Sequence, residues 1–206
     1  MPPDASRYKQ RQVGKLASKI VGGKLASVQV IDQGVETRLV AEYASYVRSG
    51  RAPAVAHRAV LCLGARLGGE VRAFRSLGAL AIGVDLNPGP SNAQVLVGDF
   101  HRLQFADAVF DLAYTNVIGH AFDLSTMGRE ICRVLKPGGA FLLDARTDKA
   151  SSADEMRQAA LHPESQSIFY TDSSTLVEAL GMRLQSELLP DVRLCMCRHH
   201  QRPATS

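Results

Sequence analysis

The chain of 206 residues carries a formal net charge of +4, and 46% of its residues are hydrophobic. That length suits one domain with a short extension, and the apolar fraction is high enough for a globular core. The sequence has no apolar run of about 18 residues, so it predicts no membrane span. Its N-terminus lacks the apolar stretch of a secretory signal, although a transit segment stays open as an interpretation.

Positive charge is concentrated in residues 1–25, which contain six basic residues against Asp4 alone. A basic arm of this kind can contact the phosphates of RNA. The arm lacks the repeated aromatic residues that often accompany such contacts. RNA is therefore a possible but less favoured partner.

The cysteines show no spacing typical of a disulfide framework, so we expect a reducing, cytoplasmic setting. Cys195, Cys197 and His199 alternate along one predicted strand and so share a face, an arrangement that can suit a metal ion. An edge strand with two small buried thiols is the simpler interpretation, and we predict no metal site.

The first predicted element is a helix over residues 35–47, where apolar residues recur at helical spacing. We expect residues 1–33 to be weakly structured or peripheral. Together, residues 1–50 are predicted to form a basic and helical extension that packs over one side of the main domain, residues 51–206.

Strands then alternate with helices, which predicts a parallel sheet covered on both faces. A short helix and an antiparallel hairpin at a sheet edge are expected to follow. The predicted strands lie at 59–63, 79–85, 94–98, 110–116 and 140–145, and the predicted helices at 70–77, 124–135 and 172–182.

The segment VLCLGARLGGEVRAF, residues 60–74, reads as a buried strand, a glycine loop and the start of a helix. Such a loop brings backbone N–H groups and a helix N-terminus to the carboxyl end of the sheet, where a nucleotide can approach closely. Asp85 ends the next predicted strand. A carboxylate there can accept hydrogen bonds from both ribose hydroxyls of a nucleoside, although capping a turn is its simpler role.

Asp99 ends the third predicted strand, in the segment VGDF. It can accept a hydrogen bond from an adenine amino group, while Phe100 or Leu86 covers the ring. A turn-forming aspartate is the alternative interpretation. Three neighbouring strand ends would then carry a glycine loop, a ribose acid and a base acid.

This order, together with the segments FDLAYTN and LKPGGAFLLD, resembles the class I S-adenosylmethionine-dependent methyltransferases, especially their small type-11-like members. The resemblance covers roughly residues 59–198. It implies a doubly wound, Rossmann-like α/β fold whose seven-stranded sheet is mostly parallel with an antiparallel last strand. It also implies S-adenosyl-L-methionine as cofactor and S-adenosyl-L-homocysteine as product.

The family's site residues carry over by position. His120 matches a histidine frequent in the type-11-like group, and it can remove a proton from an acceptor or serve only packing or capping. The positions implied to bind the cofactor are Gly64, Ala65, Arg66, Gly68, Asp85, Leu86, Asp99, Phe100 and Asn116.

The loop departs from the family pattern at two positions. Arg66 replaces the second glycine, and Cys62 replaces an acid that helps hold the methionine end of the cofactor. Arg66 can block the site, point to solvent, or face the cofactor's carboxylate, and we favour the last of these. Glu70, four residues on, can hold the arginine in place or meet the cofactor's ammonium group.

The leading interpretation is a methyltransferase acting on a small-molecule or sugar-like acceptor. RNA methylation is the second, although the segment YTNV after the fourth strand does not match the catalytic motifs of that class. A non-catalytic binding module on the same fold is the third, because Cys62 and Arg66 can spoil the pocket. The sequence leaves the oligomeric state open.

Overall fold

The computed structural model describes residues 25–145, 173–189 and 192–197, and scattered helical or turn residues between 6 and 23. Seven strands form one sheet in the order β3-β2-β1-β4-β5-β7-β6. Their bounds are β1 Ala59–Leu63, β2 Leu80–Asp85, β3 Val95–Val97, β4 Phe110–Thr115, β5 Leu135–Asp144, β6 Met182–Leu189 and β7 Val192–Cys197.

The first five strands pair in parallel, whereas β7 runs antiparallel to both β5 and β6. The predicted doubly wound sheet with an antiparallel last strand is therefore confirmed. The helices are α1 Leu25–Arg48, α2 Gly69–Ser76, α3 Leu124–Val134 and α4 Ser173–Ala179. Among the described residues, no helix has the length and apolar character needed to cross a bilayer.

The core has two halves because neighbouring side chains of a strand point to opposite faces of the sheet. Val60 and Cys62 of β1 face α1 and α2 and pack in one hydrophobic cluster. Leu61 and Leu63 of the same strand face α3 and α4 and pack in the other. Continuous apolar strands are typical of a parallel sheet with both faces covered.

Helix α1 begins at Leu25, ten residues before the predicted helix, so the expectation that residues 1–33 are weakly structured or peripheral is wrong for its last part. Val28 and Asp32, in the early turns of α1, are buried. Tyr43 packs edge-on against Phe74 of α2. The helix thus covers one face of the sheet, as predicted for the front section.

Gly69, the first residue of α2, is the point of closest approach between α1 and the glycine loop. A Cβ atom at this position would lie 2.3 Å from the main-chain oxygen of Asp32. Only a residue without a side chain therefore lets α1 dock here.

We expect Gly69→Ala to destabilise the fold by at least about 1 kcal/mol, because the backbone of α1 must move away. Gly34→Ala, within α1 and facing open space, is the matched control and should be neutral or slightly stabilising. Urea unfolding of the two variants measures the difference. Equal stability would show that α1 does not approach the loop as described.

Cys132 of α3 and Cys197 of β7 form a disulfide, with Cα atoms 5.6 Å apart. The expectation that the cysteines form no disulfide is therefore wrong for this pair. The two residues are 65 positions apart in the chain, so their contact depends on the packing of α3 against the C-terminal hairpin and leaves no local spacing signal. Cys62 and Cys195 are free and buried.

In unfolded protein prepared without reductant, we expect two reactive thiols, those of Cys62 and Cys195, and four after reduction. Cys132→Ser should release its partner and give three thiols in both conditions. Thiol titration in denaturant measures the count. Four thiols before reduction would contradict the disulfide.

Candidate active site

The predicted site residues lie at or beyond the carboxyl ends of β1, β2, β3 and β4, which are neighbours in the sheet. Gly64 follows β1 with a φ of +72°. A Cβ atom here would lie 2.1 Å from a methyl group of Val117, which follows β4. The loop after β1 therefore needs glycine both for its conformation and for its packing. Gly68, with a φ of +91°, leads directly into α2.

Arg66 adopts a φ of +41°, a conformation that favours glycine and is strained for other residues. The backbone φ of Arg66 therefore lies in the region that favours the glycine found at this position in the family pattern. The main-chain N–H of Arg66 donates to Oδ2 of Asp85 over 2.9 Å. The preceding loop residue, Ala65, is buried.

Asp85 joins the glycine loop to the end of β2. Its second oxygen accepts the main-chain N–H of Asn87 over 2.8 Å. Burial raises the pKa of Asp85 above its usual value, and these two backbone hydrogen bonds and the charge of Arg66 act in the opposite direction. Leu86 lies beside it and is partly buried.

Beneath the loop, five polar side chains form a cluster, which we call the buried polar cluster. Asp32 pairs with Arg72 over 2.9 Å and lies 3.9 Å from the guanidinium group of Arg66. Asn116, just after β4, donates to Oε1 of Glu70 over 3.0 Å. The cluster thus links α1, the loop, α2 and the end of β4.

Two atoms of this cluster lack a hydrogen-bond partner among the described residues, Oε2 of Glu70 and Nε of Arg66. Burial raises the pKa of Glu70 to about 7, and the nearby charge of Asp32 adds to the rise. The main-chain N–H of Glu70 itself, the side chain of Asn116 and the charge of Arg66 act to lower its pKa. The site therefore holds an unpartnered acceptor and an unpartnered donor at the same end of the loop.

Asp99, which follows β3, is already engaged by two side chains. Nζ of Lys9 lies 2.6 Å from Oδ2, and Nδ1 of His101 lies 2.8 Å from Oδ1. Although burial acts to raise the pKa of Asp99, these hydrogen bonds hold it well below its usual range. Phe100 is buried next to the pair. Asp99 is thus a fixed carboxylate acceptor.

His101 is held on both sides. Its Nε2 accepts the main-chain N–H of Asp123 over 3.4 Å, which leaves Nδ1 as the nitrogen that donates to Asp99. Its ring stacks on Phe122 with a centroid distance of 3.7 Å. His101 was not predicted from the sequence, where an aspartate and a histidine two positions apart are its only signal.

The N-terminal segment reaches the same side of the site. The main-chain oxygen of Val13 accepts from the side chain of Asn87 over 2.7 Å, and Lys9 lies 5.5 Å from the ring centroid of Phe122. Residues assigned to a peripheral arm thus contact the loops after β2 and β3. Nothing in the sequence pattern pairs Lys9 with Asp99.

His120 ends a short 3₁₀ turn, Ile118–His120, that follows β4. Its main-chain N–H donates to the oxygen of Val117 over 3.0 Å. Because Val117 packs against Gly64, this turn adjoins the glycine loop. His120 therefore lies at the edge of the site. Cys197, which was predicted to be a free thiol, lies instead in the disulfide with Cys132.

Residues 61–143 match the sequence profile of a family described as a methyltransferase domain. This range runs from β1 to β5 and contains the glycine loop, both acids and Asn116. Over this range, which is less than half of the chain, the sequence is similar to methyltransferase domains, in agreement with its resemblance to the class I S-adenosylmethionine-dependent methyltransferases. S-adenosylmethionine is the cofactor that this family uses, as the resemblance implies.

Solved structures of other methyltransferases share the fold. A putative S-adenosylmethionine-dependent enzyme from Methanococcus maripaludis is 15% identical, with a TM-score of 0.58 over 88% of this chain and 94% of that one. A putative methyltransferase from Haloferax volcanii, in a complex with the activator Trm112, is 24% identical, with a TM-score of 0.53 over 77% and 75%.

A third structure shows how far acceptors vary on this fold. Geranyl diphosphate C-methyltransferase from Streptomyces coelicolor, in complex with Mg²⁺, geranyl diphosphate and S-adenosylhomocysteine, is 20% identical, with a TM-score of 0.52 over 75% of this chain and 66% of that one. No curated protein matches the methyltransferase sequence. These structures thus show the fold that this chain shares with methyltransferases, whereas the acceptors named for them belong to those proteins.

Proposed function

We propose that this methyltransferase transfers the methyl group of S-adenosylmethionine to a small-molecule or sugar-like acceptor. The observation that carries the proposal is the glycine loop joined to Asp85, with the buried polar cluster beneath it. A nucleoside and an amino-acid end are the two parts of the cofactor. The loop with Asp85 and the cluster supply one set of polar groups for each part.

In this proposal Asp85 accepts the ribose hydroxyls, and Leu86 lines the same side. Asp99 accepts the adenine amino group, and Phe100 covers the ring. The backbone of Gly64, Ala65 and Gly68 lets the cofactor approach the loop closely. These side chains follow three neighbouring strands, as expected for ligand binding at the carboxyl ends of a parallel sheet.

The polar groups of this chain suit the methionine end of the cofactor, which carries a carboxylate and an ammonium group. Nε of Arg66 has no hydrogen-bond partner within the described part of the chain, and the guanidinium geometry matches a carboxylate. A buried donor without a partner costs free energy unless a ligand pairs with it. We therefore assign Arg66 to the carboxylate of the cofactor, in agreement with the favoured interpretation of the loop.

When bound, the cofactor supplies an electrophilic methyl group on a sulfonium centre. The chain's own contribution is mainly to position the reactants and to exclude water. Asn116, held by Glu70, lies at the end of β4, and His120 lies one turn further on. We propose His120 as the group that accepts a proton from the acceptor.

A contact made by the basic arm, residues 1–25, favours a small acceptor over RNA. Lys9 is bonded to Asp99, so this charge is directed into the site instead of toward a phosphate backbone. RNA stays the second candidate because the arm carries further basic residues. We also propose the division at residue 50 and a cytoplasmic setting, although the disulfide between Cys132 and Cys197 removes the argument from the cysteines for that setting.

Transfer of a tritiated methyl group from labelled S-adenosylmethionine tests the acceptor class. The protein is incubated with a deproteinised extract separated into small molecules and total RNA. We expect label in small molecules other than the cofactor itself and none in RNA, with strongly reduced transfer by Asp85→Ala at a cofactor concentration near the wild-type Kd. Label in RNA, lost at raised salt, would establish the second candidate instead.

A further inference from the structure

The buried polar cluster contains one carboxylate that its neighbours do not balance. Asp32 lies against two guanidinium groups, those of Arg72 and Arg66. Glu70 is similarly buried, yet among the described residues its carboxylate accepts hydrogen bonds only from neutral groups, the side-chain amide of Asn116 and its own main-chain N–H. Its second oxygen has no partner there. A buried, half-satisfied carboxylate costs stability and indicates a ligand.

No described side chain other than that of Asn116 donates a hydrogen bond to Glu70. Cys62 of β1 and Tyr114 of β4 lie close enough for their charges to couple with that of Glu70, and burial raises the pKa of both well above its usual value. Both groups are therefore neutral near pH 7, and neither a thiol nor a phenol has a positively charged form that could balance Glu70. Arg66 is the cation that acts on Glu70, and it keeps an unpartnered donor of its own.

Among the described residues, the cluster thus has one guanidinium donor, on Arg66, and one carboxylate oxygen, on Glu70, without a partner. A zwitterionic ligand carries a carboxylate and an ammonium group that can pair with the two. We propose that Glu70 binds the ammonium group of the methionine end of S-adenosylmethionine, opposite the carboxylate that Arg66 binds. This inference rests on the proposed orientation of the cofactor. Glu70 would then supply, from the first turn of α2, the negative charge that Cys62 cannot supply from β1.

The proposal makes cofactor affinity depend on pH. With a pKa of about 7, Glu70 is partly protonated in the free protein at neutral pH. An ammonium partner favours the carboxylate form, so binding is tighter above pH 7 and weaker below it. Asp32, from α1, stays paired with Arg72 and Arg66, and Asn116 does not titrate. Glu70 is therefore the group of this cluster that changes charge between pH 6 and 8.

Calorimetry with three ligands tests the role of Glu70. The ligands are S-adenosylhomocysteine, its decarboxylated form, which keeps the amine, and 5′-methylthioadenosine, which lacks the whole amino-acid end. Glu70→Gln keeps the acceptor for Asn116 but removes the charge. We expect it to bind the first two ligands about 10- to 100-fold more weakly and the third unchanged.

The matched control is Glu36→Gln. Glu36 pairs with Arg72 over 2.7 Å, as Asp32 of the cluster does over 2.9 Å, but its side chain is more exposed than that of Asp32. It should leave the affinity for all three ligands unchanged. Wild-type affinity for S-adenosylhomocysteine should rise between pH 6 and 8, and Glu70→Gln should abolish this rise. Thermal unfolding adds a readout of folding, because Glu70→Gln removes an uncompensated buried charge and should not lower the melting temperature.

The outcomes separate this inference from the proposed function. If wild type binds none of the three ligands, the proposed cofactor site fails. If wild type binds all three and Glu70→Gln retains its affinity for the two amine ligands, the site stands and the role of Glu70 is overturned. Equal weakening of all three ligands together with a lower melting temperature would also overturn it, because Glu70 would then act only in folding.

Discussion

Asp85→Ala is expected to weaken the binding of S-adenosylhomocysteine by about 2–3 kcal/mol, because it removes a charged acceptor for two ribose hydroxyls. This corresponds to a loss of roughly 30- to 150-fold in affinity. The variant also frees the main-chain N–H groups of Arg66 and Asn87, so the loop loses part of its support. Isothermal calorimetry at one pH measures the change in affinity.

A matched control separates the loss of ribose binding from a loss of folding. Asp111 also accepts a main-chain N–H, that of Ala59, and it pairs with Lys136. It lies at the start of β4, so it is at the amino-terminal end of the strands, opposite the site. Asp111→Ala should lower stability and leave affinity unchanged. Comparable affinity losses in both variants would remove Asp85 from the site, as would wild-type affinity in Asp85→Ala.

Replacement of Arg66 is expected to separate backbone strain from cofactor binding. Arg66→Ala should lower the affinity for S-adenosylhomocysteine by about 1–3 kcal/mol, because the carboxylate of the ligand loses its cation. Arg66→Gly should lose the same affinity. It should nevertheless be about 1–2 kcal/mol more stable than Arg66→Ala, since only glycine adopts a φ of +41° without strain.

Calorimetry and thermal unfolding of the two variants measure both quantities. The glycine variant restores the family pattern of the loop, so it also tests whether the arginine blocks the site. Binding by Arg66→Gly that is tighter than that of the parent would show that Arg66 occupies the cofactor's space. In that case the assignment of Arg66 to the carboxylate would be wrong, although the loop would still bind the cofactor.

The sheet could be predicted from the sequence because each of its central strands is a short apolar run bounded by glycine, proline or a turn. FDLAYT and AFLLD are apolar on both faces, as strands covered on both sides must be. The start of α1 could not be predicted in this way. Its buried face includes Asp32, a charged residue that is stable there because Arg72 and Arg66 come to it from α2 and the loop.

In the candidate site, residues marked by a local sequence feature could be predicted, whereas contacts between distant segments could not. Asp85 and Asp99 were predicted because each ends a strand, which is a local feature. The engagement of Asp99 by Lys9 and the disulfide between Cys132 and Cys197 join segments far apart in the chain. Such contacts depend on the packed tertiary structure, and no spacing or periodicity encodes them.

The central claim is that this chain binds the cofactor of its family at the loop between β1 and α2. Titration of the wild-type protein with S-adenosylhomocysteine by isothermal calorimetry tests it most directly. We expect saturable binding at one site per chain, weakened by Asp85→Ala and unaffected by Asp111→Ala. A folded wild-type protein that gives no binding heat, and no increase in melting temperature at saturating ligand, would contradict the account.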